Sequence, residues 1–518
     1  MKPTHEHPNT SAAAALRPSG KPVAIDLTRG RLRTGPAILV GTRATCALLQ
    51  RQLILLDSPP ETVGGVEIDG SADPIAALER LCSRTSPRFA IVSLPQRDQQ
   101  TAARVSAALG RLGIEERRVS PLDEAVSGRS IPQLIQRGPS FDPQALIGRA
   151  PREIDRSIAR SVIEGRRVLI TGAGGSIGSE IARTVAALNP SALVLVERSE
   201  NALFEIDRRL GATRPTLDRT ALLHDVVDGD GTRSIFERHR PAVIFHAAAH
   251  KHVPLMEEHP AHAFINNVIG TRSVADAAVA TGAERFVLIS SDKAVNPSSV
   301  MGATKRLAEM LVHAVQSGAT EQGARTRLAM VRFGNVLGSA GSVLPVWSAQ
   351  IAEGGPVTVT DERMTRYFMT IPEAAALVVQ AAGLTASGAS PADTFVLDMG
   401  EPVNIAELAS RFVRAAGAEP VTGRTADPQA GEIELRITGA RPGEKLTEEL
   451  AYDVELLEPT KADGVRALRT PDRVDATALM RAISDFAINA GSLDAQGVIH
   501  RLGDLVPAFA EIRRRRAA

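Results

Sequence analysis

Cysteine is nearly absent from this chain. Two residues in 518, Cys46 and Cys82, cannot build a disulfide framework or a zinc site unaided, and they point to a reducing, cytoplasmic setting. Aromatic residues make up only 3%, with two Tyr and one Trp, which leaves little to stack single-stranded bases on. Neither sign of charge dominates: 60 Lys+Arg against 59 Asp+Glu give a net +1. No global field therefore draws the chain to nucleic acid or anionic lipid. No apolar run approaches the roughly 20 residues that span a bilayer, so no integral membrane segment is expected. The opening MKPTHEHPNTSAAAALRPSGKP offers histidines, an acid and prolines where a signal peptide has a basic and then an apolar stretch. What remains, with 43% hydrophobic residues, is material for sizeable cores, and the length suggests about three domains of roughly 100–200 residues.

Residues 1–34, rich in Pro, Ser, Thr and Ala and without periodicity, read as a disordered tail. In 35–125, short apolar runs (Ile38–Val40, Leu53–Leu56, Phe89–Val92) alternate with helical stretches, the pattern of a Rossmann-like parallel α/β domain. A mixed connector, 126–160, follows. From 161 to 335 the alternation strengthens, with candidate strands at Val168–Ile170, Leu193–Val196, Ala221–Leu223, Val243–Phe245, Phe286–Ile289 and Ala329–Val331. That rhythm predicts a doubly wound Rossmann domain. Residues 336–518 loosen into Gly- and Pro-punctuated loops, with short strands at Val357–Val359 and Phe395–Leu397, and predict a smaller C-terminal lobe over the mouth of the sheet together with C-terminal helices. The terminal Arg513–Arg516 run reads as a solvated end.

The strand at 167–171 leads into Gly172-Ala173-Gly174-Gly175-Ser176-Ile177-Gly178 and then a helical pattern. Gly172, Gly175 and Gly178 permit a tight turn, close approach of a pyrophosphate and tight helix packing, and the helix N-terminus at Ser176 and Ile177 supplies N–H donors. The next strand ends in Glu197. A carboxylate there takes ribose hydroxyls and repels a 2′-phosphate, which favours NAD over NADP, while Arg198 pulls the other way. Asp225 and Val226 follow the third strand and face the adenine. Ala247 and Ala248 follow the fourth, small enough for the cofactor to approach.

The fifth strand delivers Ser290-Ser291-Asp292-Lys293 to the end of the sheet where ligands bind. Met301 and Lys305, four residues apart, share one helical face. The arrangement resembles the extended short-chain dehydrogenase/reductase superfamily, whose signature is a Tyr four residues before a Lys. Here Met301 takes the Tyr position, and neither Tyr367 nor Tyr452 precedes a Lys at that spacing. The phrases SSDKAVNPSSVMGATKRLAEM, HAAAHKHVPLMEEHP, RFGNVLGSAGSVLPV, DERMTRYFMTIPEAA and GARPGEKLTEEL resemble one branch, the nucleotide-sugar 4,6-dehydratases of bacterial polysaccharide and protein-glycan biosynthesis. Several members of that branch carry this Met. Long members begin with membrane helices that this sequence does not show, so membrane attachment is not carried over.

The resemblance implies UDP-N-acetylglucosamine 4,6-dehydration to a 4-keto-6-deoxy sugar, with tightly bound NAD or NADP reduced and regenerated in each turnover. A thioether cannot take a proton, so Asp292 is expected to accept the O4 proton and return it to O6. Lys293 is expected to be the C5 base, with a pKa lowered by burial or by the positive charge of Lys305 with the nicotinamide cation. Ser291 would bond O4, and Lys305 the nicotinamide ribose. Lys251, Asn335, Arg366, Arg441 and Glu444 are expected around the UDP-sugar, Arg441 on diphosphate and Glu444 on ribose, with Arg332 and Lys445 as further cations. His246, His250 and His252 alternate, but no metal is expected. Met256, Glu257 and Glu258 read as helix surface or subunit contact in an expected homo-oligomer. Two alternatives stay open: elimination with inversion at C5, and a catalytically silent NAD-binding sensor.

Overall fold

The computed structural model describes residues 36–43, 46, 49, 50, 53, 61–68, 73–94, 99–118, 146–149, 151, 152, 154–385, 393–416, 418–423, 432–469 and 475–517. The chain divides into two compact units, Met1–Ile135 and Gln136–Ala518. The expected tail, 1–34, and most of the expected connector lie outside the described residues.

The first unit has four parallel strands, β1 (Ala37–Gly41), β2 (Thr62–Glu67), β3 (Phe89–Ser93) and β4 (Glu115–Arg118), in the order β2-β1-β3-β4. β1 and β3 are apolar on both faces because both faces are covered. Ile38, Val40, Ala90 and Val92 pack with helices α1 (Pro74–Thr85) and α2 (Gln99–Arg111), while Ala37, Leu39, Phe89 and Ile91 close on Cys46, Leu49 and Leu53. Asp73 starts α1, its carboxylate accepting from the amides of Ile75 and Ala76.

The second unit is built on nine strands. β5 (Arg167–Thr171), β6 (Ala192–Glu197), β7 (Arg219–Leu223), β8 (Val243–His246), β9 (Arg285–Ile289) and β10 (Arg327–Arg332) are parallel, and β11 (Asp393–Leu397) extends them. β12 (Leu456–Pro459) and β13 (Val465–Arg469) close the edge antiparallel, in the order β12-β13-β11-β10-β9-β8-β5-β6-β7. The chain steps outward from β5 through β6 to β7 and then returns to β8 on the other side of β5. That reversal opens a crevice at the carboxyl ends of β5 and β8.

Alternation along each strand feeds two cores: Val168 and Ile170 face one side of the sheet, Leu169 the other. Helices α3 (Arg156–Ile163) and α4 (Ser176–Ala186) cover the first side, α5 (Gly270–Ala280) and α6 (Val300–Glu321) the second. α7 (Ile371–Ala382) returns to the first, and α8 (Ala476–Asn489), α9 (Ala495–Leu505) and α10 (Pro507–Ala517) complete the second.

A third core surrounds fully buried Trp347, whose Nε1 donates to the carbonyl of Thr358 at 2.8 Å. It is made by the helices Val343–Ala352 and Ile405–Ala415 against short strands Val357–Val359, Glu419–Thr422 and Glu432–Ile437. This is the lobe. The expected boundary between 335 and 336 is corrected by the pairing: β11, β12 and β13 belong to the same sheet as β10. The C-terminal helices α8 to α10 pack on that sheet too. Likewise α3, expected within the connector, contributes Ile158, Val162 and Ile163 to the sheet's core. Among the described residues no helix is long and apolar enough to cross a membrane.

Candidate active site

Gly172 leaves β5 at φ +65°, where a Cβ would stand 2.7 Å from the backbone of Ala247 and Ala248. A Cβ on Gly178 would overlap the carbonyl oxygen of Gly172, and Gly174 is equally tight against Ala202. Gly175 is looser, but its amide closes the turn by donating to the Gly172 carbonyl at 3.0 Å. The turn is thus a cradle kept empty of side chains, at the start of α4 with its positive dipole end. The Oγ of Ser176 accepts from the Ala340 amide at 3.0 Å.

Beside the turn lies a cavity of about 200 Å³, lined among others by Glu197, Arg198, Asp225, Val226, Ala247 and Ala248. Glu197 accepts from the amides of Gly174, Arg198 and Ser199, so its carboxylate is fixed towards the glycine turn. The Arg198 guanidinium donates to Asn266 at 3.1 Å and stands 3.7 Å from Asp225. Asn266 and Asn267 sit on a π-helical turn, Ile265–Ile269, just before α5. Neither was singled out in the sequence, because a π turn has no periodic signature. Asn267 holds both the amide and the carbonyl of His250 and donates to Thr304 at the start of α6.

A second, larger cavity of about 680 Å³ runs from Gly175, Ser176, Ile177 and Gly178 past Met301 and Lys305 into the lobe. Lys305 is buried, donates to the Ile289 carbonyl at 2.6 Å, and is pulled down to about 8 by burial. Met301 is 3% exposed and packs in the sheet's second core while touching this cavity.

At the end of β9, Ser291 caps a short 3₁₀ turn, Asp292–Ala294. Asp292 is fully buried. Its Oδ1 accepts from Ser291 Oγ at 2.8 Å and from Lys293 Nζ at 3.0 Å, while its Oδ2 has no hydrogen-bond partner. A Cβ on Gly334 would come within 2.9 Å of that Oδ2. Ser291 and Lys293 line the cavity, whereas Asp292 lies behind them. Asp292 thus touches the cavity only by way of its hydrogen bond from Ser291, and not directly as expected. The phenol of Tyr452 donates to the Ala294 carbonyl at 3.0 Å and braces the turn.

Lys293 also corrects an expectation. Burial would lower its ammonium, but the carboxylates of Asp292 and Glu448 outweigh burial and hold it above its ordinary value. Glu448 was missed in the sequence although it lies in the GEKLTEEL phrase. Asn335, expected near uridine or ribose, presents its Oδ1 to Lys293 at 3.1 Å.

Three of the expected cations are tied to the protein itself, two of them, Arg366 and Lys445, while lining the cavity. Arg332 is buried between Glu309 and Glu455, with contacts of 2.7–2.8 Å, and has no freedom to meet a diphosphate. Arg366 lines the cavity but donates to the carbonyls of Thr365, Lys445 and Leu446, fixing the 445–446 loop. Lys445 donates to the Val295 carbonyl at 2.9 Å. Lys251, Arg441 and Glu444 line the cavity, and Glu444 accepts from the Arg441 amide at the Gly443 turn. The basic end is not solvated throughout: Arg513 pairs with Glu257, which accepts from the Val300 amide at 2.6 Å, and Arg516 donates to the Glu444 carbonyl. Met256 is buried in the core, so this helix is not plain surface. His246 is enclosed by Thr171 and Thr271. Among the described residues no group of three His, Cys, Asp or Glu could hold a metal ion.

A protein-family comparison matches residues 168–469, the span from β5 to β13 that carries every residue just described except Arg513 and Arg516, to a family described as "Polysaccharide biosynthesis protein". The chain belongs to the polysaccharide biosynthesis protein family. Among its relatives is the probable polysaccharide biosynthesis protein EpsC of Bacillus subtilis, 38% identical over 89% of this chain and 75% of that one. Another is a Campylobacter jejuni protein named UDP-N-acetylglucosamine 4,6-dehydratase (inverting), 30% identical over 55% of this chain and 78% of that one. A solved structure, Pen from Bacillus thuringiensis, superposes with a TM-score of 0.53 at 28% identity, covering 62% of this chain and 98% of that one. In this family member the glycine cradle, the carboxylate of Glu197 and the small residues after β8 together fit a dinucleotide, its pyrophosphate at the N-terminus of α4.

Proposed function

We propose that the chain catalyses NAD(P)-dependent 4,6-dehydration of a UDP-N-acetylhexosamine, UDP-N-acetylglucosamine foremost, to a 4-keto-6-deoxy sugar for glycan synthesis. One observation carries the reading. The buried Asp292–Lys293 pair opens, through Ser291, on a cavity that is continuous with the glycine turn. The Campylobacter relative's name supports the substrate class.

A nicotinamide cofactor held at the glycine turn would supply reversible hydride storage between C4 and C6, so no outside oxidant or reductant would be needed. Ser291 accepts the O4 proton while donating its own to Asp292, which turns the carboxylate into a carboxylic acid. That acid sends the proton back along the same path to the departing O6, so water leaves. Lys293 removes the C5 proton, acidic beside the new ketone, and returns it once C6 is reduced. Lys305 meets the nicotinamide ribose. Met301 walls the reacting centre without exchanging protons. Lys251 borders the sugar, Arg441 meets the diphosphate and Glu444 the ribose. The carboxylate of Glu197 favours NAD. The first unit, with no phosphate cradle in its sequence, takes a packing or regulatory role.

A second reading, elimination with inversion at C5, is favoured by the word "inverting" in the relative's name. Ring couplings of the product in proton NMR separate the two. The main test is mass spectrometry of UDP-N-acetylglucosamine incubated with the protein. Loss of one water is expected with the natural chain and none with Asp292→Asn, which keeps its cofactor. Turnover by that variant within tenfold of the natural rate, or no dehydration of any UDP-hexosamine by the natural chain, would overturn the reading.

A further inference from the structure

A lysine that serves as a base must first lose its own proton, and the carboxylates of Asp292 at 3.0 Å and Glu448 at 3.7 Å favour Lys293 as an ammonium. It has three donor hydrogens. One goes to Asp292 at 3.0 Å and one to Asn335 at 3.1 Å, leaving the third for Glu448, whose Oε1 stands 3.7 Å away. Asp292 cannot take this proton if it is already holding the one from O4. Asn335 cannot take it at all.

Glu448 is the remaining acceptor. It is 4% exposed and lines the larger cavity, and its Oε2 has no hydrogen-bond partner. A carboxylate so buried ordinarily has both oxygens engaged. The charged groups that face it are Lys293, Asp292, Arg366 and Lys445. Arg366 is committed to backbone carbonyls, and Lys445, 3.8 Å from Oε2, donates to the Val295 carbonyl and to Glu449. Lys293, 3.7 Å from Oε1 and bonded to Asp292, is the cation that links Glu448 to the reacting centre.

Resting on the dehydratase reading, we infer that Glu448 is a positioning residue that acts through Lys293: it takes the ammonium proton before C5 is deprotonated and hands it back after C5 is reprotonated. The balance closes. The resting site holds Asp292 and Glu448 as carboxylates and Lys293 as ammonium. The O4 proton passes to Asp292, and the Lys293 proton passes to Glu448. The free amine then takes the C5 proton, and Asp292 releases its proton with O6 as water. Lys293 returns its proton to C5 and recovers the first one from Glu448. Burial holds the Glu448 carboxyl above its ordinary value, which brings its proton affinity towards that of the amine.

The test is Glu448→Gln, which keeps the shape and cannot accept a proton. With UDP-N-acetylglucosamine, kcat is expected to fall about 100-fold or more with KM little changed. Single-turnover reduction of the cofactor, read at its near-ultraviolet band, persists, because it needs only Ser291 and Asp292. Exchange of the C5 hydrogen with heavy water falls in step with kcat. Raising the pH restores turnover as solvent strips the ammonium, and Glu448→Asp recovers much of the loss. If the natural chain dehydrates its substrate and the Gln variant turns over as fast, the inference fails while the dehydratase reading stands. If cofactor reduction and product formation fall together, Glu448 is merely structural and the inference also fails. If the natural chain dehydrates nothing, the underlying reading is what fails.

Discussion

His246, at the end of β8, has Thr171 on one ring nitrogen at 2.7 Å and Thr271 on the other at 3.0 Å. Burial, with Lys305 nearby, lowers its pKa to about 3. The unfolded chain protonates a histidine near pH 6.5, so between these values the unfolded state holds more protons and stability rises with pH. Going from pH 7 to pH 5, this residue alone takes away about 2 kcal/mol. Urea unfolding should show the pH 7 to pH 5 loss smaller by about that amount in His246→Gln, and an unchanged loss would contradict the burial of a neutral ring. The same residue shows what sequence leaves open: three alternating histidines suit a loop, a core or a metal equally until their neighbours are known. Met301 was legible, because its spacing to Lys305 needs only helical periodicity. The state of Lys293 was not, since Glu448 lies far along the chain and only folding sets it against the amine.

Among elements, the parallel strands were legible because each is buried on both faces and reads as an unbroken apolar run, as in Val168–Ile170 and Leu193–Val196. β12 was not, since all four of its residues are exposed at the sheet's edge. Yet the segment leading into β12 matters to the centre. Glu455 meets Arg332 of β10, which also meets Glu309 of α6, and Glu309 accepts from Ser290 Oγ at 2.7 Å, beside Ser291. Burial alone would raise Glu309, but Arg332 outweighs it and brings it down to about 2. Arg332→Met leaves two buried carboxylates short of their cation, which costs about 3–5 kcal/mol. Denaturant unfolding at pH 7 checks this, and a loss under about 1 kcal/mol would mean that the network is not a structural tie. The glycine turn was legible in outline, although Gly174 proves tighter than Gly175.

For the molecule as a whole, the sheet places the glycine turn at the crevice between β5 and β8 and the Asp292 turn at the end of β9. The lobe around Trp347 and the Arg441–Lys445 loop complete the larger cavity. Its composition foretold two-sided burial but not the sharing of one sheet by residues before and after 335, because β11 to β13 reach it only through long-range pairing. The arrangement makes sense if a hydride leaves the sugar and returns to it without leaving this cavity. UDP-N-acetylglucosamine carrying deuterium at C4 tests that most directly: the account predicts a dehydrated product with the deuterium on its C6 methyl group. A product whose newly added C6 hydrogen comes from solvent, with no deuterium on the methyl group, or a substrate recovered unchanged, would contradict it.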